Sequence, residues 1–265
     1  EGFDDIAIFD QNVVSHLELL KLPYTGCNPR GLLLARDKSL SKKLLAYHRI
    51  AVPEFEVFRA GRPIRRPKRL PFPLIVKSLT QEASIGISQA SVVDTDDKLK
   101  ERVAFIHESI GTAAIVEQYI EGRELYVGIL GNQTLQSLPV WELFFSNMPP
   151  EAKRIATDRV KWSVKYQKKY GIESGAAKDL PELVCDTIQH VCKRAFRALE
   201  LSGFARIDLR LDEAGHVWVL EANPNPQIAK GEDFAASAEK VGLSYETVLQ
   251  RIINLGLRWQ PESVA

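Results

Sequence analysis

Apolar side chains recur along the chain with two different periods, and these divide it into short helices and short strands. Val13, Val14, Leu17 and Leu20 follow helical spacing, so a helix is expected over Asp10 to Leu20. The turn residues Pro23-Tyr24-Thr25-Gly26-Cys27-Asn28-Pro29 follow. A second helix is expected from Asp37 to Arg49, with Leu40, Leu44 and Leu45 on one side, stopping ahead of Pro53. Residues 54–59 and 72–79 read as strands, separated by a basic, proline-rich loop from Arg62 to Pro71. Asp94-Thr95 can cap a helix that reaches Ile110 and ends at Gly111. Strands are expected at 113–118, 123–131 and 134–145, the last two joined around Gly131-Asn132. Residues 146–180 are polar and lysine-rich and read as a long loop with short elements. A helix over 182–200, a hairpin over 204–221 and helices near 233–241 and 244–258 complete the chain. Hairpins among irregularly alternating helices favour an α+β fold over a doubly wound parallel sheet.

A length of 265 residues suggests about two domains and a core that needs no staples. Hydrophobic residues make up 45% and charged residues 26%, values that exclude general disorder. Lys and Arg total 35 against 34 Asp and Glu, and that balance counts against nucleic-acid and membrane-surface partners. No apolar run approaches the roughly 20 residues that span a bilayer. The opening Glu1-Gly2-Phe3-Asp4-Asp5 is acidic where a leader is basic. Cys27, Cys185 and Cys192 are too scattered for a disulfide framework or zinc site, and the last two share a helix face with Ile188 and Ala195, as core residues do. The five histidines lack ligand spacing, and Trp141, Trp162, Trp218 and Trp259 are dispersed, so no base-stacking platform is implied. A soluble, cytoplasmic protein is the expectation.

Candidate chemistry concentrates in the hairpin Gly203-Phe204-Ala205-Arg206-Ile207-Asp208-Leu209-Arg210-Leu211, followed after a turn by Val217-Trp218-Val219-Leu220-Glu221-Ala222-Asn223. Strand side chains alternate, so Arg206, Asp208 and Arg210 share one face; Val219, Glu221 and Asn223 form one set on the return strand. A turn closing between Asp212 and Val217 puts Asp208 directly across from Glu221, where Cβ atoms lie about 4.5–5.5 Å apart. Carboxylates that close repel unless a cation lies between them. Mg²⁺ uses such oxygen ligands, usually one or two carboxylates with substrate phosphates. Asn223 would add a neutral oxygen and Arg206 a fixed positive charge. The alternative is a surface hairpin with a wet charged face.

Lys77 lies inside the apolar run Pro73 to Leu79, where it must snorkel or find an anion. The small-residue loop Gln81 to Ser88 after it lets backbone N–H groups approach a phosphate, although no Gly-Lys-Ser/Thr follows it. A plain hairpin turn is the alternative. Lys38 opens a helix, where a lysine is ordinarily solvated. Glu117 ends an apolar strand and Glu124 follows seven residues later, an arrangement that suits the N6 edge of adenine and ribose hydroxyls. Strand-end acids facing water would look the same.

Taken in order, Lys38, Lys77 with its loop, Glu117 and Glu124, Arg206-x-Asp208 and Glu221-x-Asn223 resemble the ATP-grasp superfamily, and within it the D-alanine:D-alanine ligase branch. The resemblance extends to Leu17-Glu18-Leu19-Leu20, Pro23-Tyr24-Thr25-Gly26, Ala35-Arg36-Asp37-Lys38, Val164-Lys165-Tyr166 and Gly242-Leu243-Ser244-Tyr245. It implies a nucleotide clamped between a small lid subdomain (residues 35–122) and a large subdomain with the metal site (residues 123–265). Residues 1–34 would be the remnant of an N-terminal substrate domain, so that the acidic opening marks a truncation point and says less about a leader. By the same resemblance Lys38 and Lys77 hold phosphates, Glu117 with Gln118, Tyr119 and Ile120 reads adenine, and Glu124 takes the ribose. Ser84-Ile85-Gly86 would be the lid over the γ-phosphate, and Asp208, Glu221 and Asn223 the ligands of Mg²⁺, with Mn²⁺ as an alternative. A substrate carboxylate would attack the γ-phosphate and an amine would then displace phosphate, with Arg206 steadying the oxyanion and Lys165-Tyr166 closing over substrate. Small-molecule carboxylate and amine substrates follow, and homodimers are common in the family.

Two departures bear on the acceptor. Ala83-Ser84 stands where the family's lid carries two serines. Beyond Asn223 the run Pro224-Asn225-Pro226-Gln227-Ile228-Ala229-Lys230-Gly231-Glu232-Asp233 puts Glu232-Asp233 where a Ser-Leu would hold the second amino acid's carboxylate. Acids repel a carboxylate, with Lys230 as an offset, so the acceptor expected is an amine without a free carboxylate or one carrying positive charge. A genuine D-alanine:D-alanine ligase and a nucleotide-binding homologue without ligase activity stand as the alternatives.

Overall fold

Two antiparallel sheets organise the computed structural model, which describes residue 6 and residues 9–81 and 84–261. The chain begins with α1 (Asp10–Leu19), α2 (Pro29–Arg36) and α3 (Lys38–Tyr47). Helix α2 was not among the expected elements, although its signature is local: Asn28 accepts from the Gly31 N–H and Pro29 takes the first helical position. Asp37 caps α3 by accepting from Ser39 and Leu40 at 2.8 and 3.0 Å. The inward face of α3 is Lys38, Ser41, Lys42 and Leu45, with Leu40 and Leu44 only half-buried. The leucine pattern pointed to the wrong stripe because this helix packs on a polar site.

The small sheet contains β1 (Phe55–Phe58), β2 (Leu74–Ser78), β3 (Val92–Val93) and β4 (Ala114–Gln118), in the order β1-β4-β2-β3. Helix α4 (Asp96–Phe105) continues as one wider turn to Ile110, capped by Thr95 and ended by left-handed Gly111, as its sequence signals require. One face of this sheet packs Leu74, Val76 and Val116 against Leu99, Val103 and Ile106. Alternation then leaves Ile75, Lys77 and Glu117 on the other face.

The larger sheet contains β5 (Arg123–Leu130), β6 (Gln136–Ser137), β7 (Trp141–Phe145), β8 (Ile172–Ala176), β9 (Phe204–Leu211) and β10 (Val217–Pro224), with α5 (Asp158–Trp162), α6 (Val164–Tyr170) and α7 (Glu182–Ala198) interspersed and α8 (Asp233–Glu239) and α9 (Tyr245–Leu257) after it. Its order is β10-β9-β5-β7-β8, with β6 paired to β5. The single strand expected over 134–145 is split into β6 and β7 by a segment containing Pro139, which has no N–H for a ladder. The loop expected over 146–180 contains α5, α6 and β8; β8 carries little apolar signal and is held by pairing with β7. No helix among the described residues is long and apolar enough to cross a membrane.

Helix α7 covers one face of this sheet, with Ile188, Cys192 and Phe196 against Leu125, Ile129, Ile207 and Leu209. The opposite face is divided. At one end Phe234, Val248 and Ile252 of α8 and α9 cover Leu130 and Phe204. Gly128 permits this approach, since a Cβ there would stand 2.7 Å from Leu138 and 2.9 Å from Phe234. The other end carries Glu124, Tyr126, Arg206, Asp208 and Arg210, and it faces the small sheet.

Gly122 leads into β5 with φ +145°, and an added Cβ would lie 2.1 Å from the Leu211 carbonyl oxygen. Gly122→Ala should therefore lower stability by about 2–4 kcal/mol, read as an earlier urea midpoint at unchanged slope.

Candidate active site

The β9–β10 hairpin brings Asp208 opposite Glu221, through a register that the simple turn does not give. Near the turn Val217, Trp218 and Val219 pair with Leu211, Arg210 and Leu209. A bulge at Leu220 then shifts the pairing, so that Glu221 meets Asp208 and Asn223 meets Arg206. One extra residue reverses the alternation of the strand. Val219, expected beside Glu221 and Asn223, instead enters the apolar core with Ala222, while Glu221 lines the cleft. The Leu220 carbonyl accepts a 2.7 Å hydrogen bond from Lys42 Nζ.

The charged face continues across β9 and β5. Arg206 Nε and Nη2 donate to the two oxygens of Asp208 at 2.7 and 2.9 Å. The same guanidinium lies 4.7 Å from the centroid of the Tyr126 ring. Glu124 accepts from Arg210 Nη2 at 2.7 Å and from the Tyr126 hydroxyl at 3.0 Å.

From the small sheet, Lys77 finds the anion its burial demands, donating to Glu117 Oε2 at 2.8 Å. Lys42 approaches the other oxygen of Glu117 at 3.3 Å and is fully buried. The Glu117 carboxylate, expected at adenine, is thus occupied by two lysines. Lys42 was not foreseen; its signal was its spacing of four from Lys38, which puts both on one face of α3. Lys38 donates to the Gln81 carbonyl at 2.7 Å and lies 3.8 Å from Glu221.

The lid loop and the segment 153–158 of the other half meet over this cleft. Ser84, in the left-handed region at φ +64°, donates from Oγ to the Ala156 carbonyl at 2.7 Å. Gln89 exchanges two 2.9 Å hydrogen bonds with the backbone of Lys153. Ile85 and the left-handed Gly86 turn the lid back toward Ile87. Ala83, the expected departure in the lid, lies outside the described residues. Below the lid, Ile75, Tyr119 and Ile155 form a small apolar cluster with Ile87, and of these four only Tyr119 was expected at the site. The cleft is lined by Lys38, Lys77, Ser84, Ile85, Glu117, Gln118, Tyr119, Ile120, Glu124, Asp208 and Glu221.

Other expected residues lie elsewhere. Lys165 is exposed, and Tyr166 packs on Tyr170 with ring centroids 4.6 Å apart; neither lines the cleft. Lys161 lines it instead. Ser163 ends α5 and caps α6, so the chain changes direction between the two lysines. Lys230 lines a shallow depression with Glu239, Ser244, Tyr245 and Glu246, outside the cleft. Glu232 precedes α8, and Asp233 in its first turn accepts from the Ser174 hydroxyl at 2.5 Å.

Residues 44–254 match the family model of the D-ala D-ala ligase C-terminus. The chain is 31% identical over 266 residues to a D-alanine–D-alanine ligase of Bordetella petrii, covering 96% of this chain and 76% of that protein. It is 30% identical over 247 residues to the uncharacterized protein y4sG of Sinorhizobium fredii, covering 93% of this chain and 70% of the relative. This chain belongs to the D-alanine–D-alanine ligase family. A D-alanine–D-alanine ligase from Bacillus anthracis, solved in complex with ATP, superposes with TM-score 0.76 at 23% identity, covering 93% of this chain and 74% of that one. The VanG D-Ala:D-Ser ligase from Enterococcus faecalis gives 0.73 at 23% identity over 93% and 68%. The fold is ATP-grasp, and the protein is an ATP-dependent ligase that forms carbon–nitrogen bonds.

In this ligase the cleft charges tune one another. Burial alone would raise Glu221, yet Lys38, Lys77, Lys161 and Arg206 hold it down at about 2. Burial and the nearby Glu221 raise Asp208 against the pull of Arg206. Burial drives Lys42 down, while Glu117 and Glu221 keep Lys77 above its usual value despite the same desolvation. Asn223 Nδ2 is buried with no hydrogen-bond partner among the described residues. The unpartnered atom of Asn223 is a donor and says nothing of a cation, whereas the two opposed carboxylates supply the hard oxygens that a divalent cation takes.

Lys42 and Lys77 hold Glu117 below the ordinary carboxylate value of 4.5 against its burial, so its contribution to stability is complete above pH 4.5 and fades as pH falls through the folded value. Glu117→Gln leaves two buried ammonium groups unbalanced and should cost about 3–5 kcal/mol at pH 7. In urea denaturation the deficit should shrink as the pH drops below 4.5; a constant deficit would show that Glu117 is not the ionised partner.

Proposed function

We propose that this ligase joins a carboxylate to an amine through an acyl phosphate. The carboxylate oxygen attacks the γ-phosphorus of ATP and ADP leaves. The amine then adds to the acyl carbon, phosphate departs with the C–O bond, and the amine surrenders a proton. The observation that carries this reading is the meeting of Lys38, Lys77 and Lys161, from three separate elements, with Asp208 and Glu221 in one cleft. Phosphoryl transfer needs positioning and charge neutralisation more than a nucleophilic side chain.

In this reading Lys38, Lys77 and Lys161 bind phosphate oxygens, and Glu117 orients Lys77. The backbone of Gln118, Tyr119 and Ile120 meets the adenine edge, with the ring between Ile75, Ile87 and Ile155. Glu124 takes the ribose, and Ser84, Ile85 and Gly86 cover the transferred phosphoryl group. Asp208, Glu221 and Asn223 would hold Mg²⁺, or Mn²⁺, which when bound neutralises charge on the phosphates. Arg206 spends Nε and one N–H of Nη2 on Asp208, which leaves Nη1 to steady the oxyanion of the tetrahedral adduct.

For the acceptor, Glu232 and Asp233 support an amine that lacks a free carboxylate or carries positive charge. Asp233 is near enough for its charge to help keep Arg206 protonated. Lys230, the one offset the sequence offered, faces the separate depression shared with Glu239 and Glu246. A carboxylate-bearing acceptor drawn toward Arg206 would therefore meet the charge of Asp233 without that compensation.

Coupled ADP and phosphate release should be amine-dependent, faster with diamines or amino-acid amides than with D-alanine. Brisk release with D-alanine at ordinary amino-acid concentrations would return the acceptor to D-alanine. Asp208→Asn and Glu221→Gln should each lower turnover about a hundredfold or more. Unchanged ATP turnover in both would remove them from the metal site, and release indifferent to every amine would leave a nucleotide-binding homologue.

A further inference from the structure

Tyr126 does not line the cleft, yet it touches Glu124, which does, and Arg206, which holds the cleft residue Asp208. It stands on β5 directly across from Asp208 on β9. Its hydroxyl donates to Glu124 Oε1 at 3.0 Å, while the other carboxylate oxygen accepts from Arg210. Its ring lies beneath the Arg206 guanidinium at 4.7 Å, while two nitrogens of that group hold Asp208. Side chains two apart on a strand share a face, so Glu124 and Tyr126 form one row and Arg206, Asp208 and Arg210 the neighbouring one.

We propose that Tyr126 is a positioning residue with two duties, its hydroxyl setting Glu124 for the nucleotide sugar and its ring setting Arg206 for the acyl centre. The proposal rests on the ligase reading above for the roles of Glu124 and Arg206. With both oxygens already oriented by donors, Glu124 presents its remaining lone pairs in fixed directions, and an incoming ribose need not order it. The ring supports a cation by its negative face, and in a desolvated setting that contact is worth keeping. The guanidinium is therefore restrained by Asp208 in its plane and by Tyr126 from below. A phenolic hydroxyl buried beside Glu124 and Asp208 keeps its proton, as a donor must.

Two substitutions separate the two duties. Tyr126→Phe removes the hydroxyl and keeps the ring; Tyr126→Leu removes both. MgATP and Mg-2′,3′-dideoxy-ATP serve as probes in direct binding measurements on the full chain, with thermal melting and active-site stoichiometry recorded alongside. Tyr126→Phe should weaken MgATP binding about threefold to tenfold, leave dideoxy-ATP binding within twofold, and leave kcat nearly unchanged at saturating nucleotide. Tyr126→Leu should repeat the nucleotide effect and lower kcat by a further tenfold or more. A merely structural tyrosine would weaken both nucleotides alike or lower only the active fraction, and either result overturns the proposal. Equal kcat in the Phe and Leu variants overturns the role of the ring. If the unaltered protein binds both nucleotides equally, Glu124 is not on the ribose and the hydroxyl's role falls with it. Failure of the ligase reading shows separately, as amine-independent phosphate release by the unaltered protein.

Discussion

Charged side chains can stand on the inner face of a sheet only when each meets its opposite, and the face shared by β10, β9 and β5 is built under that constraint. Asp208 is clasped by Arg206, Glu124 by Arg210, and Glu221 lies among Lys38, Lys77 and Lys161. Across the cleft the small sheet obeys the same rule with Glu117 between Lys42 and Lys77. An unpaired charge at such depth would be several kcal/mol uphill. The two halves therefore hold their charged faces toward each other and their apolar faces toward α4 and α7, and the cleft is what remains between them.

The ion pairs are unequal. Most are closed contacts that fix geometry, whereas Asp208 and Glu221 face each other as like charges across paired strands. Their pKa values are pushed apart, Glu221 down through Lys38, Lys77, Lys161 and Arg206, and Asp208 up through burial and the nearby Glu221. The bulge at Leu220 makes this possible. Without it β10 would turn Val219 and Glu221 to the same side, and either the core or the cleft would receive the wrong side chain. The bulge also frees the Leu220 carbonyl for Lys42, which ties α3, β4 and β10 at one buried ammonium group.

Much of the site was legible in the residues. Asp208 was placed by period-two alternation on β9 and Lys77 by the cost of burying a charge, and those arguments survive folding because they concern neighbours on one strand; on β10 the bulge undid the alternation that had grouped Val219 with Glu221. Lys42 and Lys161 were not placed, since each is a lysine in a polar, lysine-bearing stretch and only the opposing surface selects it. Lys165 shows the same limit from the other side: a plausible motif position lost its place in the cleft when the chain turned at Ser163. The missed β8 is held by cross-strand pairing rather than by its own composition.

Sequence by itself determined the alternating strands, the capped helices, the hairpin that carries the two carboxylates and, through the order of the motifs, the ATP-grasp family. Tertiary structure decided the rest: which lysines enter the cleft, which stripe of α3 is buried, where the bulge falls, and that Lys230 turns away from the acids it was expected to offset. The physical reason is range. Periodicity, capping and strand pairing act over a few residues and are written into the local sequence, whereas the partner of a buried charge is chosen by whichever distant element folds against it.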